Sequence, residues 1–233
     1  RYNFSKKIDI TANLNFQQSF FKFNDFSTNI FLLNPSLFLN IKKTGFGNFS
    51  LSYSENNTLP EVNQLTSNFQ LTDYRNFSQG TTYNKPLKNQ TTTLNYYIYN
   101  DEKRFSINTS VYYVNSKSIF NTSSNLTSDF NFNSYIQTKG SNSYNFNFSF
   151  VNYVRKLKLA SKIETNNSWI TSPISVNSTE FLNAKSYSNS IKYSGTTYFK
   201  SKINFDFGFS YNYFQSNFQG IKTNNTTKDA FLN

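Results

Sequence analysis

Four consecutive residues, Asp73, Tyr74, Arg75 and Asn76, hold the densest ligand-binding chemistry in the chain: a carboxylate, an aromatic face, a guanidinium and an amide. On one loop they could clasp a ligand through a charge pair, a stacked ring and amide hydrogen bonds. Local pairing of Asp73 with Arg75, which orders the loop itself, is the stronger expectation. Elsewhere reactive types are scarce. There is no histidine and no cysteine, which removes the commonest general bases, nucleophiles and metal ligands. Twelve carboxylates remain. Asp101-Glu102 is a turn pair, Glu55 and Glu61 fall in or beside a polar stretch, and Asp9, Glu164 and Asp206 are far apart in sequence. No Asp-rich calcium loop and no Gly-rich phosphate loop is present. The expectation is no enzymatic activity, no metal and no cofactor.

The segments that must position these residues alternate. From Ile8 to Gln17, Ile8, Ile10, Ala12, Leu14 and Phe16 interleave with Asp9, Thr11, Asn13, Asn15 and Gln17. The pattern returns at 49–53, 105–113, 144–150 and 203–211. A period of two sends successive side chains to opposite faces of a strand. The chain therefore predicts strands with one apolar and one polar face.

Composition says which solvent each face meets. Hydrophobic residues make up only 36%, yet 19% of residues are aromatic, with 27 Phe and 17 Tyr. There are 38 Asn and 55 Ser plus Thr. A soluble sandwich buries more Val, Leu and Ile, and a disordered chain carries fewer aromatics. Apolar outside and polar inside is the pattern of a membrane barrel. No run approaches the ~18 apolar residues of a spanning helix, which leaves a closed sheet as the way to cross. The predicted fold is an all-β, antiparallel up-and-down transmembrane β-barrel, present as about 9–10 strands of a larger barrel. In it Ile8, Leu14, Phe16, Phe105, Ile107, Val111, Phe205, Phe207 and Phe209 face lipid. Asp9, Asn13, Asn15, Asn108, Asn145, Asn204 and Asp206 face a wet lumen.

The chain reads as one region, 1–233, with short turns at one end of the strands and long polar stretches at the other. The turns are Ser5-Lys6-Lys7, Lys43-Thr44-Gly45, Asn100 to Lys103 and Val154 to Lys156, with a further short connection near Asn24-Asp25. The polar stretches cover about 56–89, 115–142, 168–184 and 215–229, the second of which could extend a strand. This asymmetry suits short periplasmic turns and long outer loops. The net charge is +11, with Lys scattered along the chain and only small Lys/Arg clusters at or beside the turns, which favours solvated turns and anionic headgroups over nucleic acid.

The order Pro35-Ser36-Leu37, Leu51-Ser52-Tyr53-Ser54, Leu59-Pro60, Gln64-Leu65, Asp73-Tyr74-Arg75-Asn76, Gly80 and Asn95-Tyr96 resembles the outer-membrane β-barrel of TonB-dependent-receptor-like proteins of the Bacteroidota. The resemblance runs from Pro35 to about Ser118 and more loosely to Asn233. It implies an outer-membrane location and a barrel of about 22 strands. It also implies an N-terminal plug and often a carboxypeptidase-like regulatory domain. The chain departs from that plan: it has no plug and no TonB-contacting region, and it ends without a terminal aromatic strand. The expected partners are the bilayer and its lipopolysaccharide, together with the rest of the barrel and its plug, or partner subunits of an outer-membrane complex. The alternatives are a structural barrel subunit that imports nothing and an Asn-rich adhesive or self-assembling β-protein.

Overall fold

The computed structural model describes residues 2–5, 8–23, 26–43, 47–81, 85–176, 180–199 and 203–233. The expected turns at Lys6-Lys7, Asn24-Asp25 and Thr44-Gly45 lie outside the described residues. The elements are β1 (Tyr2–Ser5), β2 (Ile8–Phe23), β3 (Phe26–Lys43), β4 (Gly47–Thr58), α1 (Val62–Leu65), β5 (Gln70–Asp73), β6 (Asn76–Gln79) and β7 (Leu87–Asn100). There follow β8 (Phe105–Leu126), β9 (Asn131–Lys139), β10 (Asn142–Val154), β11 (Leu159–Val176), β12 (Leu182–Thr197), β13 (Asp206–Phe218) and β14 (Ile221–Leu232).

All fourteen strands belong to one sheet. Eleven lie side by side in the order β1-β2-β3-β4-β7-β8-β10-β11-β12-β13-β14, each antiparallel to its neighbour. This is an up-and-down sheet. Among the described residues β1 and β14 share no ladder, so the sheet stays open at these two edges.

The strands run farther than the alternating apolar positions alone suggest. Most of the polar stretches at 115–142, 168–184 and 215–229 continue as ladders, because Asn, Ser and Thr pair their backbones without an apolar face to announce them. β14 lies in the last of these stretches, joined to β13 through the two-residue turn Gln219-Gly220, whose φ of 53° and 83° suits a hairpin. Among the described residues, 56–89 keeps the most irregular backbone of these stretches, and even there α1, closed by a reciprocal Glu61–Gln64 capping box, and the β5–β6 hairpin add order. At its other end, β13 starts at Asp206 rather than near 202.

β8 and the β9–β10 segment are one long hairpin. Asn115↔Asn142 and Ser118↔Lys139 keep the same register on either side of Gly140-Ser141. Up to Ser118, β8 turns its other edge to β7, but at Ser123 and Ser124 that edge pairs in parallel with Ser175 and Val176 of β11. The free edge of β9 meanwhile pairs in parallel with β6. The two arms thus exchange sides at the crossing. At the crossing, a Cβ on Gly140 would stand 1.0 Å from the Ser116 carbonyl oxygen. Only a residue without a side chain fits there.

Among the described residues no second layer covers the sheet. Leu32 and Leu65 are the only buried hydrophobic residues among those described. The accessible surface is 15682 Å², where a soluble folded chain of this mass exposes about 11,000 Å².

Candidate functional site: a two-faced sheet with an outer arm

Residues paired directly across a ladder share a face, so the registers sort every strand residue. Ile10, Leu39, Leu51, Leu94, Val111 and Phe146 form one row across six strands. Ile8, Leu14, Phe16, Phe105, Ile107, Val111, Phe207 and Phe209 all fall on this same face. Several of its side chains stand open, Phe16 with 76% and Phe31 with 75% of its surface exposed. From Phe105 to Tyr113 the apolar run on β8 measures about 27 Å along the strand.

The band ends in rings toward the long-loop side. Tyr53, Thr92, Tyr113, Tyr144, Trp169 and Tyr187 make one row, with Tyr113 stacked on Tyr144 at 4.7 Å and Trp169 beside Tyr187 at 5.1 Å. The band is interrupted on β11–β12 by Asn167 and Asn189. There Asn189 and Tyr187 donate to the Asn167 carbonyl oxygen at 2.6 and 3.2 Å, so the amides satisfy one another.

The opposite face is polar and carries a few charges, Asp9, Lys162, Glu164, Lys192 and Asp206 among them. Its clearest row crosses ten strands: Asp9, Asn40, Ser50, Asn95, Ser110, Asn147, Asn166, Ser190, Asn212 and Thr227. Asn95 donates to Ser50 Oγ at 3.4 Å and Asn147 to Ser110 Oγ at 3.2 Å. Asn13, Asn15, Asn108, Asn145 and Asp206 share this face. Between β10 and β14 the curvature leaves a groove of ≈290 Å³ edged by Asn145, Asn147, Asn166, Ser190 and Asn212. Phe38, Val114, Ile170 and Phe214 are apolar exceptions on this face. Asn204 and Phe205 precede β13. The Asn204 side-chain oxygen accepts from Phe199 N–H at 2.7 Å and so holds the connection, and the Phe205 backbone bonds Thr197.

Asp73 to Asn76 form the turn of the β5–β6 hairpin. Asp73 accepts from Asn76 Nδ2 at 2.7 Å and from Arg75 N–H at 3.2 Å, while the Arg75 guanidinium lies 5.4 Å from the Tyr74 ring centre. Asp73 thus pairs with the backbone of Arg75 instead of its charge. The turn docks on β9: Asn131 N–H donates to Arg75 C=O at 2.8 Å and Asn131 Nδ2 to Asn76 at 2.9 Å. Phe77 stacks on Phe132 at 5.3 Å, with Phe69 and Phe130 edge-on. Bonds from Asn76 and Arg75 N–H hold the Asp73 carboxyl below its ordinary 3.8. A depressed folded-state value contributes stability above 3.8 that is lost as pH falls through the folded value. The Arg75 amide resonance should therefore titrate below pH 3.8, and in Asp73→Ala that titration should vanish. An unchanged curve in the variant would remove Asp73 as the holder of the turn.

A second polar cluster escaped the sequence reading. Glu55 on β4 pairs with Lys88 on β7, and Gln90 donates to Glu55 at 2.8 Å and to Tyr53 Oη at 3.1 Å. Asn57 donates to Glu55 at 3.2 Å and ties to Leu33 C=O on β3 at 2.6 Å. The signal was available: Glu55 continues the alternation of Leu51 and Tyr53, which puts it on their face one step beyond the rings. Compared with family models, curated proteins and solved structures, the chain matches none of them.

Proposed function

We propose that this chain is wall of an integral outer-membrane β-barrel, with the apolar face against lipid and the Asn/Ser/Thr face lining a hydrated or plugged lumen. The observation that carries this reading is the apolar face, uncovered among the described residues and continuous from β2 to β10, too large for a soluble monomer and bounded by an aromatic row. The open edges at β1 and β14 then need further strands or a partner, since unpaired edges are prohibitive in lipid. The long strand extensions and the β5–β6–β9 arm lie outside the cell, and the short turns at Asp101–Arg104 and Arg155–Lys158 lie in the periplasm. The inner face carries Asn, Ser and Thr together with charges such as Asp9, Lys162, Glu164, Lys192 and Asp206, which suit a polar solute or a plug and do not choose between them.

A structural subunit of a multiprotein complex is the second reading. What favours it is β14, where the outward face carries Thr226 and Lys228 beside Tyr213 and Tyr211 instead of apolar residues.

The absence of cysteine makes single spin labels site-specific. In bilayers, labels at Leu14→Cys and Phe148→Cys should be relaxed by oxygen dissolved in lipid. Labels at Asn13→Cys and Asn147→Cys should respond to a water-soluble nickel complex. Water exposure at all four positions would refute the membrane reading.

A further inference from the structure

One step beyond the aromatic row, the same face carries Asn142, Thr171, Lys185, Asn217 and Lys222, paired in turn across β10 to β14. The ring pair Trp169 and Tyr187 floors a recess of ≈300 Å³ that Lys185 and Lys222 flank, with Gln215 and Asn217 between them. Both lysines are exposed, and no carboxylate lines the recess. At the far end of this row, on β4 and β7, Glu55 stands beside Gln90 and pairs with Lys88. The lysine charge there is cancelled on the protein itself, whereas among the described residues Lys185 and Lys222 take part in no ion pair.

We propose that this recess docks the phosphorylated sugar headgroup of an outer-leaflet glycolipid, an inference that rests on the membrane reading above. Lys185 and Lys222 are two strands apart, about 10 Å at the backbone. Each ammonium rides a flexible four-carbon stem, so both reach one phosphate. The amides of Asn217 and Gln215 and the hydroxyl of Thr171 offer hydrogen bonds to sugar hydroxyls. The rings of Trp169 and Tyr187 give the sugar an apolar face and mark the depth at which headgroups begin. The acyl chains then run down the band toward Ile191 and Tyr193.

The test compares the protein in phosphatidylcholine bilayers with and without monophosphoryl lipid A, reading the emission of Trp169, the only tryptophan of the chain. Added lipid A should shift the emission saturably. Lys185→Gln with Lys222→Gln should weaken its apparent binding about tenfold or more, as expected for two basic residues at an anionic surface. Lys88→Gln, one partner of an ion pair in the neighbouring row, should leave it within about twofold, because Lys88 on β7 does not line the recess. Inorganic phosphate should not reproduce the shift. If the protein inserts but added lipid A leaves the Trp169 emission unchanged, or the double lysine variant binds lipid A as tightly as the wild type, the docking proposal falls and the membrane reading stands. If the protein fails to insert in either bilayer, both fall.

Discussion

Gly140→Ala should release the outer arm, residues 118–139, while the wall beneath it stays folded. The clash involves backbone: a Cβ would meet Ser116 oxygen at 1.0 Å and its carbonyl carbon at 2.1 Å, and neither can swing aside as a side-chain end could. The φ of Gly140 is not in the left-handed region, so the requirement is for space alone. Relief takes a backbone shift of more than 2 Å, against an ordinary contact of 3.4 Å or more. Such a shift breaks the bonds from Gly140 N–H to Lys117 C=O and from Ser116 N–H to Ser141 C=O. The parallel ladders of β9 with β6 and of β8 with β11 depend on that crossing. Overpacking of this kind costs on the order of 3 kcal/mol. Hydrogen exchange should accelerate across 118–139 and 76–79 and stay slow across 105–115 and 142–154. Gly220→Ala supplies the contrast: nothing lies within 4 Å of its Cβ position, and its strain comes from φ +83°. That variant should cost about 1 kcal/mol at the β13–β14 turn and leave the arm protected. Equal protection of the arm in Gly140→Ala and wild type would refute the crossing.

The two faces were legible because alternation is a local signal and the backbone honours it: residues expected to share a face and lying in strands do share one by register. Asn204 and Phe205 fell outside because alternation continues through them while the Asn204 side chain bonds Phe199 N–H and the ladder begins only at Asp206. The polar stretches concealed strands for the opposite reason. Residues 221–229 hold no apolar period, yet their backbones pair with β13 throughout. The docking role of Asp73 to Asn76 depends on Asn131, 55 positions beyond Asn76. Pairing at that distance leaves no mark in a single sequence. The exchange of sides at Gly140 was hidden for the same reason, since a lone glycine between polar residues reads as a loop.

Phe148→Arg and Asn147→Arg place the same charge on adjacent residues of β10, on opposite faces, and their difference should be large in a bilayer. Phe148 pairs with Thr109 and Thr165 near the middle of the apolar run from Tyr144 to Val154. On the lipid face of a barrel an arginine at that depth costs about 2–4 kcal/mol. Asn147 sits in the polar row between Ser110 and Asn166. Replacing it loses one hydrogen bond to Ser110, about 1 kcal/mol, and leaves the guanidinium in water. Urea titration of protein folded into bilayers should therefore rank Phe148→Arg well below Asn147→Arg. The comparison also separates the membrane wall from its alternatives. In a sandwich with the apolar faces packed together, Phe148→Arg would be ruinous in water without any lipid. In an adhesive sheet whose apolar face is wet, the two variants would be about equally stable. A penalty at Phe148 that appears in bilayers, grows toward the middle of the band and is small beside Trp169 follows only if lipid covers that face.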